Sequence, residues 1–292
     1  MSQFLQVLLS GLATGAIYAL VAIGFTLVWQ AAQTVNFAQG EFVMVPAFLV
    51  LVGLHGLGLP LWLALLLGLA ASVVLLGLAF KKLIVEPILP SGGLSLIIAT
   101  MALGILLREG VKEFYGAEAQ PFPAMFPSDP IRLFGAVVSL QDILNLGISL
   151  AVVVALTLFL DRTRTGRCMQ ATAQSPAVAR ILGIDVERMV LYTFLINAAL
   201  AAVASFLITP VYLAKFSNGE ALGLIAFIAA IVGGLNRIRG ALVGGLLIGV
   251  LDNLTATYVT AQYRAALPLV LLIAIILFRP QGLVGSSEGR TV

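Results

Sequence analysis

Charge is scarce in this chain: charged residues make up 10% of its 292 residues, against about 25% in a soluble domain. So few charges cannot cover a water-facing surface, and residues 43–80 carry none at all. Cysteine occurs once, at Cys168, which excludes an internal disulfide; its place among arginines marks an ordinary thiol in a polar loop. The single histidine, His55, sits in a Gly-rich connection with no Cys or carboxylate at metal-ligand spacing, so neither a zinc site nor a catalytic triad is expected. A G-x-x-x-x-G-K-S/T phosphate loop is missing as well, and the polypeptide is not expected to hydrolyse a nucleotide by itself. The sequence pI near 9.2 comes from basic residues scattered between apolar runs, not from a patch interleaved with aromatics, which argues against nucleic acid as a partner.

What is abundant is apolar sequence, with 61% hydrophobic residues and a mean hydropathy of +1.10. Apolar runs cover 4–29, 40–54, 61–80, 94–107, 143–160, 189–213, 222–235, 241–254 and 266–278. A helix of about 20 such residues spans a bilayer, so the expected fold is all-α, a polytopic transmembrane bundle of roughly eight or nine segments. Several runs fall short of a full crossing and are flanked by Gly or Pro. These point to broken or re-entrant helices, which a membrane tolerates only where protein or a water-filled cavity satisfies the backbone. Only Met1, Ser2 and Gln3 precede the first run, without a basic region or cleavage site, so the first helix is expected to remain in the mature protein.

Basic residues set the orientation. The loop 161–188 holds Arg162, Arg164, Arg167, Arg180 and Arg188, whereas 112–141 has only Lys112 and Arg132 and contains four prolines. The first is expected in the cytosol and the second outside. Carrying that choice through single crossings also puts Lys81, Lys82, Arg237, Arg239, Arg279 and the C-terminus inside.

Three stretches stand out as candidate sites. In the first, polar Asn36, Gln39 and Glu41 lie with Phe37 between two apolar runs. Either Glu41 lies at membrane depth, where partners or water must offset a cost of a few kcal/mol, or it begins a helix in a plain interfacial loop and meets the helix dipole. Upstream, Ser10, Thr14 and Tyr18 recur every four residues on one helical face; they can line a polar path or bond their own helix carbonyls. The second stretch is the arginine-rich loop. There Ser175 suits an N-cap, Pro176 the first helical position and Gly183 a left-handed stop, which predicts a sharply bounded helix of about two turns. The third is the Gly-rich region with Gly233, Gly234 and Gly240, read as a tight turn between two short helices, followed by Asp252 and Asn253. Small residues at close-packing spacing, Gly11 and Gly15, Gly240 and Gly244, Gly245 and Gly249, let helix backbones approach in lipid.

The order of these pieces resembles the branched-chain amino acid permease family, the membrane subunits of the hydrophobic amino acid uptake type of ABC importer. Residues 15–20 followed by Val35-Asn36-Phe37-Ala38-Gln39-Gly40-Glu41 resemble the family's first helix and N-F-A-H-G-E pattern. Thr165-Gly166-Arg167, Ala179 to Ile184 with its Leu182-Gly183-Ile184, and Arg188 resemble its cytosolic coupling region. Residues 229–235, Arg239-Gly240-Ala241 and the closing Phe278-Arg279-Pro280-Gln281-Gly282-Leu283 complete the match. The family's His is Gln39 here, a neutral amide that cannot switch charge near pH 7.

The resemblance implies one permease domain over 1–292 in the bacterial inner membrane, not an enzyme, importing branched-chain or related amino acids, or amide or aromatic acid analogues, by alternating access. It implies as partners a second, similar permease subunit in a heterodimer, two cytosolic ATP-binding subunits, a periplasmic solute-binding protein and membrane lipid. ATP would be used by those subunits, and no cofactor is expected in this chain. Asn36, Phe37, Gln39 and Glu41, with Ser10, Thr14 and Tyr18, are the pathway candidates. Gly166, Arg167, Pro176, Arg180, Leu182, Gly183 and Arg188 are the coupling candidates, and Gly233, Gly234 and Gly240 serve gating or packing. The alternative is an ion-coupled secondary transporter, which usually carries embedded carboxylates and internal repeats.

Overall fold

A computed structural model describes residues 2–125, 130–133, 136–264 and 266–285. Helices dominate it, as the apolar runs predict. Helix α1 spans Ser2–Ala32 without a charged residue and stops where Gln33 turns to φ +51°. Helix α2, Gln39–Leu51, widens into a π turn that ends at Gly56. Helix α3, Leu61–Ser72, continues through π turns into the short α4, Glu86–Ile88, so that Leu61–Ser91 forms one helical stretch. Then come α5, Gly93–Tyr115, and an antiparallel hairpin of β1, Pro130–Leu133, and β2, Ala136–Ser139, with Pro130 opposite Ser139. The rest of the chain is helical: α6 Leu140–Arg162, α7 Arg164–Gln174, α8 Pro176–Ile181, α9 Val186–Tyr212, α10 Asn218–Gly233, α11 Ile238–Tyr258 and α12 Ala266–Phe278.

Among the described residues, 7 helical segments are long and apolar enough to cross a bilayer. The remaining apolar helices, α10 and α12, have 16 and 13 residues; at about 1.5 Å per residue, α12 reaches some 20 Å, short of the hydrocarbon thickness. Each apolar run read from the sequence falls on one of these helices. Three features differ from the reading. Helix α5 runs on through Arg108 and Lys112 to Tyr115, because charged residues in its last turns reach outward without breaking the backbone pattern. Part of the proline-rich loop pairs as the β hairpin. Polar α7 shows no apolar run and is held by its caps and by packing on α9.

The chain divides into two compact units: Met1–Thr26, Phe126–Ser149 and Ile225–Val292 form one, and Leu27–Met125 with Leu150–Leu224 the other. In the first, small residues let backbones meet. A Cβ on Gly15 would stand 2.8 Å from Gly245 O, and one on Gly11 2.9 Å from Val250 Cα, so α1 and α11 cross with no side chain between them. The other glycine face of α11 meets α10, where a Cβ on Gly240 would lie 2.5 Å from Gly233 O. Both glycine pairs of α11 therefore work as packing surfaces, which is how helices associate without a hydrophobic driving force.

In the second unit α2 is the central element, buried on nearly every side and packed by α3, α5 and α9. A helix apolar all round needs that setting. Phe42, Phe80 and Phe194 form an edge-to-face series with ring centroids 5.0 and 5.7 Å apart, an arrangement that favours the aromatic quadrupoles. Gly68 and Gly77 admit Val50 and Leu195. Outward-facing Trp62, Leu66, Leu94, Ile98 and Leu106 remain exposed, as expected of a surface solvated by lipid tails.

Candidate functional site

The break between α1 and α2 accounts for its own backbone. Asn36 Oδ1 accepts from Ala38 N at 3.0 Å, Thr100 Oγ1 accepts from Phe37 N at 3.2 Å, and Asn36 O accepts from Gln39 N at 3.2 Å. Gln39 and Asn197 exchange two hydrogen bonds: Gln39 Nε2 donates to Asn197 Oδ1 at 2.7 Å, and Asn197 Nδ2 donates to Gln39 Oε1 at 2.9 Å. Both side chains are fully enclosed. Phe37 is exposed, whereas Asn36, Gln39 and Glu41 are buried.

Depth follows from those partners. Gly104, at the middle of the 23-residue α5, touches the Phe37–Glu41 segment, and Asn197 lies near the middle of the 27-residue α9. The break therefore sits level with mid-span residues, inside protein, which is where a membrane tolerates irregular backbone. Glu41 combines parts of both readings: it lies in the first turn of α2, as a helix-start residue would, yet it is buried beside mid-span residues. Its Oε2 is enclosed and accepts no hydrogen bond, while Arg108 and Glu220, the charged groups acting on it, are bonded to each other. Glycines surround the carboxylate: a side chain at Gly219 would run into Oε2, and a Cβ at Gly104 would lie 3.7 Å from Glu41 Cγ. Gly40 lets α2 approach α10, since a Cβ on Gly223 would stand 2.8 Å from Gly40 Cα.

A buried amide left without its partner costs about 1–3 kcal/mol, while replacing both partners with apolar groups costs far less. Asn197→Leu is accordingly expected to destabilise the protein by about 2 kcal/mol, and Gln39→Leu/Asn197→Leu to recover most of that loss. Thermal unfolding of the purified single and double variants in detergent checks this; additive losses would contradict the pairing.

The α1 stripe has a different fate in the first unit. Ser10 Oγ donates to Asp142 Oδ2 at 2.9 Å and Tyr18 OH to Asp252 Oδ2 at 3.2 Å, whereas Thr14 Oγ1 bonds back to Ser10 O at 3.0 Å. Asp252 is buried and gripped by Arg264 through Nε at 2.6 Å and a second nitrogen at 2.8 Å. The sequence reading missed Asn197, Thr100, Asp142 and Arg264. A lone amide in the apolar run 189–213 was a usable signal for Asn197, because polar groups inside a span need a partner.

The arginine-rich segment follows its caps. Thr163 Oγ1 accepts from Gly166 N at 2.9 Å and opens α7, where Gly166 fits against the Phe159 and Leu160 backbone. Ser175 Oγ accepts from Val178 N at 3.4 Å, Pro176 takes the first position of α8, and Gly183 stops it at φ +78°. Two closing bonds, Gly183 N to Arg180 O and Ile184 N to Ala179 O, both 3.0 Å, satisfy carbonyls at the helix end. Asp185 then caps α9 by accepting from Arg188 N at 3.1 Å and pairs with the Arg188 guanidinium at 2.8 Å. Helix α8 buries Ala179 and exposes Val178, Ile181, Leu182 and Arg180, while Arg167 is exposed on α7. Its rigidity comes from local bonds, so the apolar tip is held out without support from a large core.

Gly233, Gly234 and Gly240 form the α10–α11 turn, with Gly234 at φ +111°. The closing residues dock on it: Leu283 N donates to Val232 O at 2.9 Å and Val284 N to Gly233 O at 3.1 Å, so the tail satisfies carbonyls at the end of α10. Two stretches read separately in the sequence thus form one packed corner.

Comparison with known proteins agrees with these features. The profile of the family "Branched-chain amino acid transport system / permease component" matches residues 7–276. The high-affinity branched-chain amino acid transport system permease protein BraD of Pseudomonas aeruginosa is 32% identical over 99% of this chain and 98% of its own. The permease protein LivH of Salmonella typhimurium is 31% identical with the same coverage. A solved structure of PsaBC from Streptococcus pneumoniae in complex with Fab shares the fold, with a TM-score of 0.50 and 15% identity, over 95% of this chain and 92% of that one. The chain belongs to the branched-chain amino acid transport system permease family: it is a multi-pass inner-membrane permease component of an ABC importer, not itself an enzyme, and it works with ATPase and solute-binding partners.

Proposed function

We propose that this chain forms the solute path of an importer for branched-chain or closely related amino acids, paired with a second, similar permease and driven by two cytosolic ATPase subunits. A periplasmic binding protein delivers the solute to its outer face. Support for the solute class comes from the relatives named for branched-chain amino acid transport. The break around Asn36, Phe37, Gln39 and Glu41 is assigned to the path, and the segment from Gly166 to Arg188 to coupling. The observation that carries the reading is α8: a six-residue helix with a side-chain cap, a proline start and a glycine stop, presenting exposed Ile181 and Leu182. Exposed apolar side chains on so well-bounded a tip suit docking onto a partner protein. The positive-inside rule favours the cytosolic side for the arginine-rich loop, which supports that tip as the ATPase contact.

Co-purification after expression with candidate ATPase and binding-protein subunits tests the assembly, with ATP hydrolysis stimulated by the loaded binding protein as the expected result. Gly183→Pro is expected to uncouple hydrolysis from uptake, because proline cannot adopt φ +78° and lacks the N–H that bonds Arg180 O. Arg180→Glu is expected to do the same by reversing charge at the exposed tip. Both variants should remain folded, and normal uptake in both would remove the coupling assignment.

A further inference from the structure

We infer that Glu41 anchors the ammonium group of the transported solute, with the solute's apolar side chain seated in the adjoining recess. This rests on the importer reading above. Asn36, Gln39 and Asn197 at the α1–α2 break are engaged in bonds to neighbours, whereas Glu41 Oε2 is enclosed and accepts none. No N–H of the first turn of α10 reaches it, although Gly219 lies directly against it. The nearby cation is already committed, since Arg108 is bonded to Glu220. A carboxylate in this setting needs a donor from outside, and a primary ammonium supplies three.

A small, mainly apolar recess lies nearby. Asn218 and Leu222, which flank Gly219 along α10, line a recess with Met44, Ala47, Phe48 and Ile208. Met44 lies one helical turn beyond Glu41 on the same face of α2. The recess, with Lys215 among its lining residues, begins one helical turn from Glu41. A solute held by its ammonium on Glu41 extends a short aliphatic side chain toward Met44 and this recess. Glycine at 219 leaves room for the carboxylate, because a side chain there would displace it.

The test measures protection of Leu222→Cys from a small maleimide in the assembled transporter, with Cys168→Ser removing the native thiol. Leucine and 4-methylpentylamine are expected to slow labelling, and 4-methylpentanoate, which lacks the ammonium, is not. Glu41→Gln should raise the amine concentration needed by at least about tenfold, the loss of one hydrogen-bonded charge pair. Glu41→Asp, which keeps the charge on a shorter arm, should fall between. Equal protection by the acid and the amine, or an unchanged amine requirement in Glu41→Gln, overturns the assignment. Amine-selective protection without ATP-driven uptake would sink the importer reading and keep this site; uptake without amine selectivity would do the reverse.

Discussion

Replacing Arg264 with leucine is expected to destabilise the folded protein by about 3 kcal/mol, the lower end of the range for breaking a buried ion pair. Asp252 is 1% exposed and receives both hydrogen bonds of the guanidinium fork, so the substitution leaves a buried carboxylate without its cation, with the Tyr18 hydroxyl still donating to it. Arg264 is 34% exposed at its side chain, and solvent at that end keeps the loss from the top of the range. Asp252→Leu/Arg264→Leu should recover most of the stability, because removing both charges removes the desolvation cost that the pair had to offset. Unfolding temperatures of the two variants in detergent check the sign: the single variant should melt lower by about 5–10 °C, and the double variant close to the wild type. A double variant that melts lower than the single one would show that the pair is a net source of stability.

A second large loss is expected from Gly249→Val. Side-chain atoms at position 249 would meet the backbone of Gly15 and Gly11, not a flexible side-chain end that could rotate away. Overpacking usually costs about 1–3 kcal/mol, and here relief requires α1 and α11 to separate, so about 3 kcal/mol or more is expected. The contrasting position is Gly147, where an added Cβ meets nothing; Gly147→Ala should be neutral or slightly stabilising through its helix propensity. Monodispersity on size exclusion after mild heating would separate the two, and equal survival would contradict the close crossing.

How much of this was readable beforehand depended on the range of the interaction. The ends of α8 were legible because Ser175, Pro176 and Gly183 act on residues two to four positions away. The α1 and α11 glycine faces were legible as a spacing, although which helix met which was not. Gln39 and Asn197 stand 158 residues apart, and Ser10 and Asp142 132 apart, so no local pattern could pair them. The depth of Glu41 was undecidable for the same reason: an interfacial loop and an embedded break have the same composition, and only contacts to the middles of α5 and α9 separate them. Helix α7 escaped notice because its polar sequence has no apolar run, and its start is set by one Thr163 hydroxyl. The hydroxyls at 10, 14 and 18 share a face as their spacing requires, yet one of them bonds its own helix while two reach across. Periodicity identifies a face; it does not identify what the face meets.

Asp252 also bears on energy coupling. Among the described residues the buried acids are Glu41 and Asp252, and the second is held by arginine. That leaves one uncommitted buried carboxylate, a sparse set for a transporter driven by an ion gradient.

The most direct measurement concerns the side on which α8 lies and what covers it. With Cys168→Ser as background, Leu182→Cys should react with a membrane-impermeant maleimide in inverted vesicles and not in right-side-out vesicles, and bound ATPase subunits should shield it. Labelling from the periplasmic face, or full reactivity in the presence of the ATPase, would contradict the account.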